Sequence, residues 1–177
     1  MTLALGVVAG LILGRLRGGH LSGLTRVDWR LWQVCLLGLA IQLPLFAKDS
    51  DLAYALAPYG AFLHVMSIAL VLASILANWR IFGVPIIALG AVLNLAVIVA
   101  NGGQMPRATP PEAAPFRNTV AAGSDTRLWI LGDWIPIPAL PGREFSLGDI
   151  AIALGGGMVA YGFVAKAAST SSTSRPN

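Results

Sequence analysis

Two aspartates towards the C-terminal end of the chain have the clearest potential for chemistry. Asp133 lies in the segment LGDWI and Asp149 in the segment FSLGD, 16 residues further along. The stretch between them is rich in proline and glycine, so the chain can fold back and bring the two side chains together. Two facing carboxylates in an apolar site share one proton, which lets one activate a water while the other donates to a carbonyl oxygen. The pair therefore predicts a catalytic dyad of the aspartic-peptidase type.

The same two residues also have a structural interpretation. Ser146 and Asp149 have the spacing of a capping box just ahead of a predicted helix, where a carboxylate also favours the helix dipole. Asp133 could pair with Arg127 or Arg143 in the same loop. Asp133 has no helix to cap, so the enzyme hypothesis depends mainly on where Asp133 points.

Three further residues are candidates for substrate binding. Asn101 and Gln104 lie in the segment NGGQMP, and Trp134 directly follows the first aspartate. The alternative for NGGQMP is a helix stop, with glycine at the C-terminal cap and proline just beyond it. As binding residues, Asn101 and Gln104 would hold a substrate backbone near the aspartates.

The composition indicates that these residues belong to a membrane protein. The chain has 177 residues, of which 56% are hydrophobic and 11% charged, whereas soluble domains carry about 25% charged residues. Backbone groups in lipid must be satisfied internally, which favours helices. We therefore expect an all-α, polytopic protein of the cell membrane with about five transmembrane helices. The predicted helices cover 2–16, 29–47, 59–78, 83–100 and 147–165.

Basic residues predict the orientation of the chain. Loop 15–30 holds four arginines and one aspartate, and Arg80 and Lys166 follow later helices. The positive-inside rule places these segments in the cytoplasm, so the N-terminus is outside and the C-terminus is cytoplasmic. No basic residue precedes the first apolar run, which favours an uncleaved helix over a signal peptide. The net charge of +4 thus reflects membrane sidedness, and no nucleic-acid partner is expected.

The expected organisation is one domain with a tail. Residues 1–166 form a single membrane-embedded helical domain, and residues 167–177 a disordered polar tail. The outer loop, 102–146, contains a re-entrant or interfacial segment anchored by Trp129 and Trp134, and residues 104–127 would act as a lid. Glycines at positions 6, 10 and 14 form a stripe for close helix packing, within the chain or in a dimer.

The sequence offers no cofactor motif. Cys35 is the single cysteine, and we interpret it as a small buried apolar side chain. His64 is the only histidine inside a predicted helix, and we expect it to bond a neighbouring helix. No cofactor or metal is predicted, and the expected partners are membrane lipid and other membrane proteins, as substrates or as members of a complex.

The aspartate motifs resemble those of the lipoprotein signal peptidases, membrane aspartyl peptidases that cleave prolipoproteins. That family has one catalytic aspartate in a motif of the form V-x-D-F-I and the second in a motif of the form F-N-x-A-D at the start of the last helix. LGDWI resembles the first and FSLGD the second. The resemblance implies catalytic roles for Asp133 and Asp149, with Phe145 at the phenylalanine position and Ser146 where the family has asparagine.

Taken whole, the chain resembles an uncharacterised family of small bacterial membrane proteins. The shared features are the basic glycine-rich loop after the first helix, NGGQMP, and the ending LGDWIPIP…FSLGD. Two functions therefore stay open. One is a peptidase-like enzyme acting at the outer face, and the other is a non-catalytic accessory subunit or assembly factor that uses the glycine faces of the first and last helices. A transporter is disfavoured because no charge lies inside any predicted span.

Overall fold

The protein is mainly helical. The computed structural model describes residues 2–26, 28–47, 50–109, 118–136 and 144–172. Its helices are α1 (Thr2–Leu16), α2 (Trp32–Leu45), α3 (Asp51–Leu56), α4 (Gly60–Ala77), α5 (Val84–Ala100) and α6 (Leu147–Ser172). Single turns of 3-10 helix cover Leu21–Arg26, Ala57–Tyr59 and Trp129–Leu131. Four short strands are β1 (Met105–Arg107), β2 (Thr119–Ala121), β3 (Ile135–Pro136) and β4 (Glu144–Phe145).

All five predicted helices are present, with two differences. The first is α3, a short helix that was not predicted and that begins where the Ser50 hydroxyl accepts a hydrogen bond from the Ala53 amide at 3.0 Å. The second is that α6 continues to Ser172, so 167–172 is helical where the sequence predicts a disordered tail. The rest of that tail, 173–177, lies outside the described residues.

Two helical segments are long and apolar enough to cross a membrane. They are Asp51–Ala77, which joins α3 to α4, and Leu147–Ala165 within α6. The other three long helices, α1, α2 and α5, are apolar but shorter, with at most 17 residues each. Among the described residues, therefore, two of the five predicted transmembrane helices are long and apolar enough to cross a membrane.

The helices pack in the order α1, α6, α5, α4, α2. The sequence neighbours α1 and α2 thus lie at opposite edges of the bundle. The chain between them crosses the end of α6, where the amide of His20 donates to the carbonyl of Val164 at 3.1 Å. We call this end of the molecule, which carries Arg15, Arg17, Arg30 and Arg80, the basic end.

Glycines bring α1 and α6 into direct backbone contact. A methyl group added at Gly6 would collide with the carbonyl of Ala153, and one added at Gly10 with the carbonyl of Gly157. The sequence left open whether the glycine stripe of α1 packs inside the chain or in a dimer. In this structure it packs inside the chain.

Polar side chains join α2 to α4. The Trp29 indole donates to the hydroxyl of Ser74 at 2.8 Å, and the Asn78 amide donates to the carbonyl of Arg30 at 2.8 Å. Because each bond links the start of α2 to the end of α4, the two helices are antiparallel.

His64 joins α4 to the turn after α5. Its Nδ1 lies 2.7 Å from the carbonyl oxygen of Gly103, and its ring packs edge-on against Phe46. The sequence predicts a bond from His64 to a neighbouring helix, whereas this bond goes to the turn that follows α5. Gly102 and Gly103 have φ angles of 70° and 88°, so the predicted helix stop is confirmed.

A small set of strands covers the end of the bundle opposite the basic end, which we call the loop end. β1 and β2 pair in parallel, β3 and β4 pair antiparallel, and Arg107 forms a bridge with Asp133. Part of the predicted lid is therefore ordered strand, and 110–117 lies outside the described residues.

Candidate carboxylate site

Asp149 is held by the cap of α6. Its amide donates to the hydroxyl of Ser146 at 3.0 Å, and the Ser146 amide donates to Asp149 Oδ2 at 3.4 Å. These reciprocal bonds are the capping box that the sequence predicts. Asp149 therefore has the structural role that the sequence predicts, which is to cap α6.

Asn94 of α5 connects this cap to the neighbouring helix. Its Nδ2 donates to Asp149 Oδ1 at 3.0 Å, and its Oδ1 accepts a bond from the Ser146 hydroxyl at 2.9 Å. Gly148 makes this approach possible, because a methyl group there would collide with the Asn94 side chain. Asn94 was missed from the sequence, where its signal is an amide inside an otherwise apolar helix.

Asp133 is positioned by backbone bonds to β1. Its amide donates to the carbonyl of Pro106 at 2.8 Å, and its carbonyl accepts a bond from the Ala108 amide at 3.0 Å. Gly132 allows the two segments to approach, because a Cβ there would lie 2.7 Å from the Pro106 oxygen. The direction of the Asp133 side chain is therefore set by a fixed strand bridge and not by a loose loop.

Asp133 is half-buried, and one of its carboxyl oxygens is fully buried. This oxygen, Oδ1, has no hydrogen-bond partner among the residues that the structure describes. Burial and the negative charge of Asp149 raise the pKa of Asp133 to about 7, against a smaller opposing effect of the Arg107 charge. At neutral pH, Asp133 is thus a carboxylic acid that can either hold or release a proton.

An ion pair lies beside this carboxyl. Arg107 Nε is 3.5 Å from Glu144 Oε2, and both side chains are largely buried. Glu144 also accepts bonds from the Thr109 hydroxyl at 2.6 Å and the Thr109 amide at 3.2 Å. Burial alone would raise the pKa of Glu144, but the Thr109 bonds and the Arg107 charge outweigh it and hold that pKa below its usual value. Glu144 and Arg107 were missed from the sequence.

The predicted partners of Asp133 have other positions. Arg107, and not Arg127, is the arginine whose charge acts on Asp133. The backbone of Arg127 is bonded to Asn101 instead. Arg143 lies outside the described residues.

The predicted substrate-binding residues differ in their surroundings. Asn101 donates from Nδ2 to the carbonyls of Val97 and Arg127, both at 2.8 Å, and its Oδ1 accepts the Arg127 amide at 3.0 Å. Its amide group therefore anchors the loop. Gln104 is half-buried between the glycine turn and β1. Trp134 is 41% exposed beside Asp133, and its indole donates to the carbonyl of Ile130 at 2.8 Å.

The arrangement has one acid that can carry a proton and one carboxylate that is bonded as an anion. Asp149 accepts bonds from two N–H groups, which stabilise a negative charge. The two carboxyls interact electrostatically, since the charge of Asp149 contributes to the raised pKa of Asp133. Within the described part of the chain, no three His, Cys, Asp or Glu side chains come together as metal ligands.

Comparison with known proteins gives one match. The model of a family of unknown function (DUF5317) matches residues 26–161, a range that contains both aspartates and Asn94. Searches of curated proteins and of solved structures gave no match. The match agrees with the resemblance to an uncharacterised family, whereas the resemblance to the lipoprotein signal peptidases is not shown. The chain belongs to the DUF5317 family.

Proposed function

We propose that the protein is a multi-pass membrane hydrolase of the aspartic-peptidase type, with Asp133 and Asp149 as its catalytic pair at the outer membrane face. The observation that carries this proposal is the environment of Asp133. Its buried Oδ1 has no partner among the described residues, and it interacts with a second carboxylate whose two oxygens each accept a hydrogen bond. Unpaired buried polar groups are costly and concentrate at functional sites.

The membrane placement is supported by the helix surfaces. Large apolar side chains of the edge helices are exposed, including Leu5 at 58% and Leu13 at 55% on α1, and Leu37 at 56% on α2. Exposed leucines on these apolar helices suit contact with lipid chains. The basic end would face the cytoplasm by the positive-inside rule, which leaves the carboxylates at the outer face.

The geometry favours distinct roles for the two acids, which the sequence left unassigned. Asp149 would take a proton from a water, and the resulting hydroxide would attack the carbonyl carbon of a peptide bond. Asp133 would give its proton to the carbonyl oxygen. When the tetrahedral intermediate collapses, the proton on Asp149 passes to the amide nitrogen, the C–N bond breaks, and one hydroxyl of the intermediate returns a proton to Asp133. Asn94 would act as a positioning residue because it holds Asp149.

Aromatic side chains next to the pair suit a substrate at the membrane surface. Trp134 and Trp129 are 41% and 64% exposed at the loop end. Indoles favour the membrane–water interface. The substrate class would thus be a polypeptide segment that lies at the outer interface.

The alternative function is an accessory subunit that would bind its partners through the glycine faces of α1 and α6. In this structure these faces contact each other through Gly6, Gly10 and Gly157. This contact accounts for the glycines within the chain, so they give the alternative no separate support.

The test is the appearance of new N-termini in membrane proteins. Cells that express the full chain, Asp133→Asn or Asp149→Asn would be compared by mass spectrometry of N-terminal peptides. We expect fragments that depend on the wild-type chain and that fall by at least about 100-fold in either variant, the usual effect of losing a general acid or base. Cleavage should also weaken as pH rises above about 7, because Asp133 must carry a proton.

A matched control is Asp125→Asn. Asp125 is an exposed aspartate of the same outer loop, 3.4 Å from the Ser124 hydroxyl. This variant should leave the fragments unchanged. Wild-type fragment levels in Asp133→Asn cells, at normal protein abundance, would contradict the proposal.

A further inference from the structure

An apolar cavity of about 440 Å³ opens between α1 and α6, and its lining does not include Asp133 or Asp149. Its lining includes Ala9 and Leu13 of α1, Leu154 and Met158 of α6, and Phe82 from the connection between α4 and α5. The volume falls within the range of about 300–1,000 Å³ that small-ligand sites occupy. The cavity is therefore large enough for part of an organic molecule.

The two polar residues of the lining lie at one end of the cavity. Arg17 donates from Nη1 to the hydroxyl of Tyr161 at 3.2 Å, and its guanidinium lies 5.8 Å from the centre of the Tyr161 ring. Arg17 is exposed, and no carboxylate of the described residues pairs with it. The cavity thus combines apolar walls with one positive charge that is not neutralised within the described chain.

Arg17 differs from its neighbours in the cavity that it borders. Arg15 donates to the carbonyl of Gly19 at 2.8 Å and lines a separate apolar cavity with Val8 and Leu21. Arg80 stacks on Trp79 at 5.9 Å and lines a third cavity. Arg17 borders the cavity between α1 and α6, where the Tyr161 hydroxyl lies beside it.

The cavity extends along most of α1. Gly6 and Arg17 are both part of the lining, and a helical path between them rises about 17 Å at about 1.5 Å per residue. A lipid chain that starts at the basic end would therefore run along α1 towards the loop end.

We propose that this cavity binds an anionic glycerophospholipid of the cytoplasmic leaflet, with an acyl chain between α1 and α6 and the phosphate at Arg17. The occupant follows from the shape and charge together: apolar walls suit the chain, and the guanidinium with the Tyr161 hydroxyl suits a phosphate oxygen. The inference rests on the proposed membrane placement and is independent of the carboxylate chemistry.

The experiment is native mass spectrometry of the purified full chain with phosphatidylglycerol or phosphatidylcholine of identical acyl chains. We expect wild-type protein to retain phosphatidylglycerol about fivefold more than phosphatidylcholine, the factor for one basic residue near an anionic headgroup. Arg17→Gln should remove this preference and Arg17→Lys should keep most of it. Because lipid retention is measured without reference to cleavage, the result does not depend on peptidase activity.

Two further variants locate the site. Ala9→Phe would place a ring in the cavity from an exposed position on α1 and should lower the retention of both lipids. Arg80→Gln, a matched change at the same end, should leave the preference intact. Equal retention of the two lipids by wild type, equal losses in Arg17→Gln and Arg80→Gln, or unchanged retention in a folded Ala9→Phe protein would each overturn the proposal.

Discussion

The two aspartates follow the same Leu-Gly pair in the sequence but have different hydrogen bonds. Asp149 accepts bonds from Asn94 and Ser146, whereas Asp133 Oδ1 has no partner in the described part of the chain. The difference arises because Asp149 starts a helix with free amides, while Asp133 lies in a strand bridge whose amides are already paired. The surroundings of Asp149 thus stabilise a negative charge, whereas those of Asp133 favour a protonated acid.

This difference predicts how the stability of the protein depends on pH. Folding raises the pKa of Asp133 from 3.8 to about 7, so the folded chain binds a proton that the unfolded chain releases in this window. The free energy of unfolding therefore falls as pH rises from about 4 to 7, and it falls no further above pH 7. Asp133→Asn, which mimics the neutral acid, should be more stable than wild type by on the order of 1–2 kcal/mol at pH 8, after allowance for solvent screening.

The measurement is the apparent melting temperature of both proteins in detergent between pH 5 and 8. The melting temperature of Asp133→Asn should exceed that of wild type by an amount that is small at pH 5 and grows as pH rises. A constant difference across this range would mean that Asp133 does not take up a proton on folding.

At the scale of the element, α6 packs against both α1 and α5. It contacts α1 through Gly157 and α5 through Gly148 and Gly155, so glycines line both of its packed faces. Close backbone approach replaces large side chains at these contacts, as is common between helices of membrane proteins. The same approach at Gly148 brings Asn94 within reach of Asp149, which links the packing of α6 to the site.

Gly10→Ala tests this packing. Alanine is a better helix former by about 1 kcal/mol, which would stabilise an exposed position. Here its methyl group would meet the backbone of Gly157, and such overpacking costs about 1–3 kcal/mol. We therefore expect net destabilisation, seen as a lower melting temperature in detergent.

The control for this change is Gly123→Ala in the outer loop. No atom lies within 4 Å of a methyl group added there, so its effect should stay within about 0.5 kcal/mol. If Gly10→Ala were as stable as wild type, the close contact between α1 and α6 would not exist.

For the whole molecule, the two ends of the bundle differ in charge and in content. The basic end carries arginines of two separate connections, α1 to α2 and α4 to α5, and the loop end carries Asp133, Glu144 and Asp149. Five long helices that alternate in direction place the start and the end of the chain on opposite sides. Such asymmetry is what a membrane orientation produces.

Cysteine labelling tests the orientation. In a chain that also carries Cys35→Ala, a membrane-impermeant maleimide should label Ser124→Cys in intact cells, because Ser124 lies exposed in the outer loop. Asp28→Cys, at the exposed basic end, should react only after the membrane is opened. Reaction of both positions in intact cells would contradict the five-span arrangement.

The sequence by itself determined the helices and their caps. Apolar runs, Pro85 in the first turn of α5 and the Gly102-Gly103 stop mark the helix bounds, since these signals act over a few residues. The capping box of Ser146 and Asp149 was predictable for the same reason. The short helix α3 was not predicted, because the charged stretch at its start is typical of a loop.

Only the tertiary structure decided how these parts meet. The order α1, α6, α5, α4, α2 cannot be read from the sequence, because the glycine stripe of α1 fits any helix with small residues. The strand bridge that buries Asp133 depends on Arg107, and the bond from Asn94 depends on a residue 55 positions from Asp149. Burial and charge–charge distance fix the pKa of Asp133, and both are properties of contacts between segments that lie far apart in the chain.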